Sequence, residues 1–350
     1  MFNARVPKLG QTWIEMNGET CGAQPDARGP IGGGEGYVNR VPTPDDTIAT
    51  LDDLLDALGS AKSGDVVFVD GRAEIDCTQR VYIEELVIEI PEGVTLASDR
   101  GADGSGGGMI LSDTFATSPL ICAMGPGVRV TGLRIAGPNP KPCFEHHNRS
   151  FREGRGHEYY YKFPTSSGIM TEHPGLEVDN CELGGWSLAA VKLSSGTDHH
   201  VHHSFIHHNP YNGLGYGVSH HTSSSLIEYN LFNHNRHSIA GSGKPPSGYE
   251  ARHNVEIRYS VSHCFDMHGG RDRKDGTTIA GSWMKVHHNT FRCPKVAVAI
   301  RGVPEDRAEI HHNWFYQKPG DLVVRSDGNT SVTKNAFGMK KPQLVDQVDI

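Results

Sequence analysis

Seven short segments of the chain share one alternation of apolar and polar positions. They are VDNCEL (178–183), VHHSFI (201–206), IEYNLF (227–232), IRYSVS (257–262), VHHNTF (286–291), IHHNWF (310–315) and VTKNAF (332–337). Each opens on a β-branched residue, most carry Asn or Ser at the fourth place, and most close on an apolar residue at the sixth. The fourth-place residues Cys181, Ser204, Asn230, Ser260, Asn289, Asn313 and Asn335 follow one another at 23, 26, 30, 29, 24 and 22 residues. Self-similarity at a period of about 20–50 residues marks a solenoid, in which each unit buries its apolar face against the next. A short strand with a β-branched start buries alternate side chains. Asn tolerates the left-handed bend of a corner. The spaced Leu consensus of leucine-rich repeats is absent.

Upstream, GDVVFVDG (64–71), LVIEIPEGVTLASD (86–99) and VRVTGLRIAG (128–137) read as earlier coils. Before them, Ile48, Leu51, Leu54, Leu55 and Leu58 recur at helical spacing, with acids ahead of them and Gly59 at the end. This predicts a capping α-helix over about 45–61, covering strand edges that the first coil would otherwise expose. The pattern predicts an all-β chain, a right-handed parallel β-helix with an N-terminal capping α-helix. It is read as one domain over 1–350: an extension 1–44, the helix, and coils over about 64–340. A capping helix, then GDVVFV, then coils marked V-x-[HY]-N-x-F, resembles the pectate-lyase-type β-helix superfamily over about residues 45–340. Within it the chain is most similar to bacterial polysaccharide lyases of the alginate-lyase type. The superfamily also holds glycoside hydrolases, uronate epimerases, esterases and non-catalytic spike proteins, so the resemblance implies fold more narrowly than chemistry.

Composition adjusts this picture at a few points. Forty-two Gly residues and the abundant Asn suit an architecture with many turns. A net charge of −8 with neutral His speaks against nucleic acid as a partner, so an anionic ligand needs a local basic patch. No run of eighteen apolar residues exists, which leaves no candidate membrane span. The chain shows no basic-plus-apolar leader. The expectation is a secreted or periplasmic monomer, with a cytoplasmic location as the alternative. Seven scattered Cys without a CxxC pair read as buried thiols or one or two bridges.

The chemistry is read by counting eleven or twelve residues on from each fourth-place residue. That reaches Lys192, Tyr216, Gly241-Ser242, Arg271, Arg301 and Arg325. Stacked coils would set these in one cationic ribbon, costly unless an anion lies over it; the alternative is pairing with acids from neighbouring loops. Two excursions add to this face. One is 138–164, with five Lys/Arg, three His and Tyr159–Tyr161; the other is 235–253, with Arg236, His237 and Lys244. His268 lies in a third basic stretch, 268–276. These residues suit an acidic polysaccharide. Cleaving a uronan by β-elimination needs a neutralised carboxylate, a base for the C5 proton and an acid for the leaving O4. Tyr216, expected to have its pKa lowered by surrounding cations, is the first candidate, supported by Lys244, His237 and Arg271. Lys192, Arg236, His268, Arg301, Arg325 and Tyr160 are the expected substrate-binding residues. In the lyases that the chain resembles, a Tyr–Lys or Lys–Arg pair commonly does the proton transfers.

A hydrolase would need converging carboxylates, which these segments largely lack. A C5 epimerase, sharing the proton abstraction, and a non-catalytic carbohydrate-binding β-helix remain alternatives. The His-His pairs are read as structural rows and not as a zinc site, and no cofactor is expected. Structural calcium is the alternative, with Asp272, Asp275, Glu305 and Asp306 as its candidates; these read first as partners for Arg.

Overall fold

The computed structural model describes residues 7–348. Three parallel strands recur in each turn of the chain, and each pairs with its counterpart one coil on. A first face starts with Val66–Phe68, Thr95–Ala97 and Arg129–Thr131; a second with Glu74–Asp76, Met109–Leu111 and Arg134–Ala136. The third runs Ile88–Ile90, Ile121–Ala123, Ser167–Thr171 and onward to Val324–Arg325. The result is a right-handed parallel β-helix, as the repeats predict. One apolar core runs through it from Leu54 to Phe337. Among the described residues, no helix is long and apolar enough to cross a membrane.

The cap is shorter than its periodicity suggests. The helix spans Leu51–Ser60, and the Thr50 hydroxyl caps it by accepting from the Asp53 backbone N–H at 3.2 Å. Leu54 and Leu58 face the first coil. Ile48 is extended instead, its N–H donating to the Phe68 carbonyl at 2.8 Å. Gly59 lies within the last turn and does not end it.

The corner after the first face explains the repeat. The third-place residues Asn180, His203, Tyr229, His253, His288, His312 and Lys334 take the left-handed bend, with φ of 45–54°. The fourth-place residues lie inside the corner as a ladder. Asn230 Oδ1 accepts from Ser204 N at 3.0 Å, Asn254 Oδ1 from Asn230 N at 3.0 Å, and Asn289 Oδ1 from Asn254 N at 3.0 Å; the pattern continues to Asn335. Asn is therefore selected less for the bend than for joining coils.

The ladder also corrects one repeat. Its member between Asn230 and Asn289 is Asn254, in ARHNVE (251–256), and not Ser260. Ala251 opens that unit and Glu256 closes it, in register with Phe232 and Phe291. A carboxyl thus lies in the apolar column, and burial raises its pKa well above the ordinary value.

The N-terminal extension is a strap laid back along the whole helix. After the hairpin Trp13–Met16 and Glu19–Gly22, Gly22 N–H donates to the His312 carbonyl and Gly32 N–H to the Tyr229 carbonyl. Further on, the Tyr37 hydroxyl donates to Asp179 at 2.8 Å, and Arg129 donates to the Asn39 carbonyl. Gly33, at φ 65°, passes so close that a Cβ there would lie 2.1 Å from the His203 carbonyl oxygen. All seven cysteines are free thiols.

Candidate active site

The third face carries the candidate chemistry, and its register redraws the ribbon of cations. Lys192 pairs with Ser219, Ser219 with Ala240, Ala240 with Asp266, Asp266 with Ala299, and Ala299 with Arg325. Lys192 and Arg325 therefore share an outward row but lie five coil steps apart, about 24 Å at strand spacing. Tyr216 is three residues earlier on its strand, in register with Ala189 and His237. Arg301 falls two residues past Ala299. Arg271 is on the short helix Gly270–Arg273, outside the face. No continuous ribbon forms, because the coils differ in length between the corner and this strand.

The register instead makes a hollow. Small residues at Ser219 and Ala240 leave a pocket of about 190 Å³ walled by Lys192, Tyr216, His221, Ser242 and His268. A larger cleft, about 1340 Å³, opens beneath the strap. Its Arg100 is buried and donates to Asn180 and the Gly32 carbonyl, so the smaller pocket is the better chemical candidate. Among the described residues, Lys192, Arg236, Lys244 and Arg325 make no ion pair. Arg271 pairs with Asp327 at 2.6 Å, and Arg301 with Asp266 at 3.0 Å and Asp272 at 2.9 Å. Arg271, with a side chain 72% exposed, and Arg301 are thus held by acids, as the alternative reading of the cations expects. Asp275 likewise pairs with Arg273 at 2.7 Å, and Glu305 accepts from the Ser282 hydroxyl at 2.7 Å. Lys244 is exposed and lies near His221, whose pKa falls through burial and then through the charges of Lys244 and Lys192.

Asp266 is the hub beneath the pocket. Its carboxylate is fully buried and accepts from His263 Nε2 at 2.8 Å, His268 Nε2 at 2.8 Å and Arg301 Nε and Nη2 at 3.2 and 3.0 Å. Burial alone would raise its pKa. The charges of His268 and His237 and the hydrogen bonds from His263 and His268 bring it well below the ordinary carboxylate value. With Nε2 committed as donor to Asp266, a neutral His268 carries its lone pair on Nδ1.

Tyr216 lies beside this hub, 7% exposed, its ring stacked on His237 at 5.9 Å and edge-on to His268 at 6.5 Å. The Arg236 guanidinium lies 5.9 Å from the ring centre, with Nε and Nη1 buried and unpartnered. The expected lowering of the tyrosine pKa does not occur. Burial raises it, outweighing Arg236 and Arg301, and Asp266 adds to the rise.

Two further expectations are corrected. His237 is buried between Tyr216 and His263, and its Nδ1 donates to the His263 carbonyl at 2.6 Å, so it supports the site from behind. Burial holds its pKa well below the usual imidazole value. Tyr160 is 3% exposed, packed on Tyr211, with its hydroxyl donating to the Asn212 carbonyl at 2.9 Å. Its neighbour Tyr161, 60% exposed, is the tyrosine of that excursion open to a ligand. Asp266 and His263 are site residues that the counting missed. Counting twelve from Asn254, the true ladder residue, reaches Asp266 directly.

No protein-family model matches the sequence, and no curated protein matches it. Among solved structures, the chain is similar to an alginate lyase from Paenibacillus sp. str. FPU-7, with a TM-score of 0.59 and 13% identity over 83% of this chain and 94% of that one. ORF18 of Geobacillus virus E2 gives a TM-score of 0.46 and 11% identity, over 95% of this chain and 69% of that one. The alginate lyase likeness, together with the large parallel sheet, shows that the chain shares a parallel β-helix fold with that protein.

Proposed function

We propose that the protein is a polysaccharide lyase that cleaves a uronic-acid chain of alginate type by β-elimination at the Tyr216 pocket. The observation that carries this reading is the pairing of a protonated, buried tyrosine with a carboxylate-held imidazole, in a pocket flanked by cations without acid partners. Arg236 and Lys192 receive the uronate carboxylate and neutralise it, which makes the C5 proton removable. His268 Nδ1 takes that proton, while Asp266 holds the ring and stabilises the imidazolium that forms. The electrons of the C5–H bond become the C4–C5 double bond. The C4–O4 bond breaks, and the Tyr216 hydroxyl protonates O4. Asp266 is the acid of the hub and is already engaged by two histidines and Arg301, while no carboxylate walls the pocket among the described residues; this favours elimination over hydrolysis.

The experiment is incubation with a panel of acidic and neutral glycans, read by the ultraviolet absorbance of the conjugated product. Absorbance growing on one or more uronans is expected. Reducing ends without absorbance would indicate a hydrolase, and inverted C5 configuration without cleavage an epimerase. No change in any glycan would leave a binding β-helix as the reading.

A further inference from the structure

The flank under the strap carries paired histidines whose Nδ1 atoms face each other. The separations are 2.9 Å for His202–His203, 2.8 Å for His207–His208, 2.9 Å for His287–His288 and 2.8 Å for His311–His312. The last two pairs lie on successive coils, with His287 in register with His311. Their rings stack pairwise, His287 on His311 at 4.9 Å and 7°, and His288 on His312 at 5.0 Å and 5°. The His202–His203 pair, by contrast, is followed on the next coil by Glu228 and Tyr229. Stacking alone does not require His at these places, since Tyr229 continues the same stack between His203 and His253.

Three imidazoles therefore cluster at one patch, where the ligand nitrogens of His287, His288 and His311 all lie within 4.8 Å of one another, and His312 stands beside them with its Nδ1 2.8 Å from that of His311. Two carboxylates stand behind them. His287 Nε2 donates to Glu250 at 3.2 Å, and His312 Nε2 donates to Glu19 at 2.8 Å. Both rings thus keep their Nδ1 lone pairs turned inward. A carboxylate behind an imidazole is the arrangement that orients metal-bound histidine and raises its basicity.

We propose that His287, His288 and His311, with His312 in the fourth position, bind one borderline divalent transition-metal ion such as zinc. An all-imidazole donor set suits zinc, copper or nickel and does not suit calcium or magnesium. Metal–nitrogen bonds of about 2.0–2.1 Å in tetrahedral geometry put adjacent ligands about 3.3 Å apart, so each pair opens by roughly 0.5 Å on binding. Binding turns the His311 ring out of its stack on His287, 4.9 Å away, towards the neighbouring coil. On binding, the protons between the paired Nδ1 atoms move to Nε2 of His288 and His311, so each ring stays neutral and no proton is lost. The ion ties two coils together and, through His312 and Glu19, fastens the strap hairpin to them.

The test is titration of the chelator-treated full chain with zinc chloride, by calorimetry and by thermal unfolding. One saturable site per chain and a higher Tm are expected, with calcium and magnesium producing neither. Two substitutions use side chains that neighbouring coils already carry at these places: His288→Tyr, following Tyr229, and His311→Thr, following Thr333, the partner of His311 on the next coil. Together they should weaken zinc binding by about 100-fold or more, while His203→Tyr leaves it unchanged. Absence of saturable zinc binding, or undiminished binding by the double variant, would overturn the proposal. So would equal loss in His203→Tyr. Should the double variant misfold, copper(II) spectra of the native chain decide: coupling to three or more nitrogens supports the site, and two or fewer refutes it. None of these readouts depends on lyase activity.

Discussion

At Tyr216 burial keeps the phenol protonated, and at His268 a hydrogen bond to Asp266 decides which ring nitrogen faces the pocket. Tyr216 keeps its proton because its pocket raises the phenol pKa, and His268 presents Nδ1 because Asp266 takes the other nitrogen. Removing only the hydroxyl tests the acid. Tyr216→Phe is expected to unfold at the native temperature, bind uronan normally, and lose on the order of 100-fold in turnover. Near-native turnover would remove Tyr216 from the reaction. Asp266→Asn tests the positioning of the base, since an amide does not stabilise an imidazolium as a carboxylate does. The variant should lose about 100-fold or more in kcat with a smaller change in KM, and the acidic limb of its pH profile, which reports the base, should move. A loss that appears only in KM, with an unchanged profile, would assign Asp266 a purely structural part.

Between coils, two columns of side chains give the corner strand opposite pH responses. Burial lowers His203, His253 and His311 to about 4 and His288 to about 3, with neighbouring histidines mostly adding to the fall. Their folded values lie below the unfolded value of 6.5, so each takes up a proton on unfolding between those limits. The stability they contribute is complete above pH 6.5 and is lost as pH falls towards about 4. Thermal unfolding followed by circular dichroism should show Tm declining steadily over that window; a flat profile would contradict the neutral stack. Glu256 runs the other way. Its folded pKa is raised, so it burdens the fold above the unfolded carboxyl value and not below it. Glu256→Leu, matching the apolar residues before and after it in the column, should stabilise the chain by about 1–3 kcal/mol at neutral pH. Urea unfolding measures this, and the gain should shrink in acid.

Across the whole molecule, a net charge of −8 is offset locally around one pocket by Lys192, Arg236 and Lys244, which make no ion pair among the described residues. Binding of an acidic chain should therefore weaken with salt, because exposed charges are screened over a Debye length of about 10 Å at 0.1 M. Lys244→Ala should raise KM more than it lowers kcat, Lys192→Ala should lower kcat as well because Lys192 neutralises the reacting carboxylate, and both should flatten that salt dependence. Equal salt response in wild type and variants would place the substrate elsewhere. The period of the chain was enough to reveal the solenoid, the capping helix around Leu54 and Leu58, and the stacked His rows, because neighbouring coils repeat these features locally. It misplaced one coil at Ser260, where Ala251 and Glu256 break the apolar pattern that marks the others. That slip hid Asp266, and uneven loops put Tyr216 and Arg301 off the row of Lys192. The strap carries no repeat and so no signal of its course. Which cations are free, which are paired, and which way the Tyr216 pKa moves depend on through-space neighbours and burial, and these exist only once the coils have stacked.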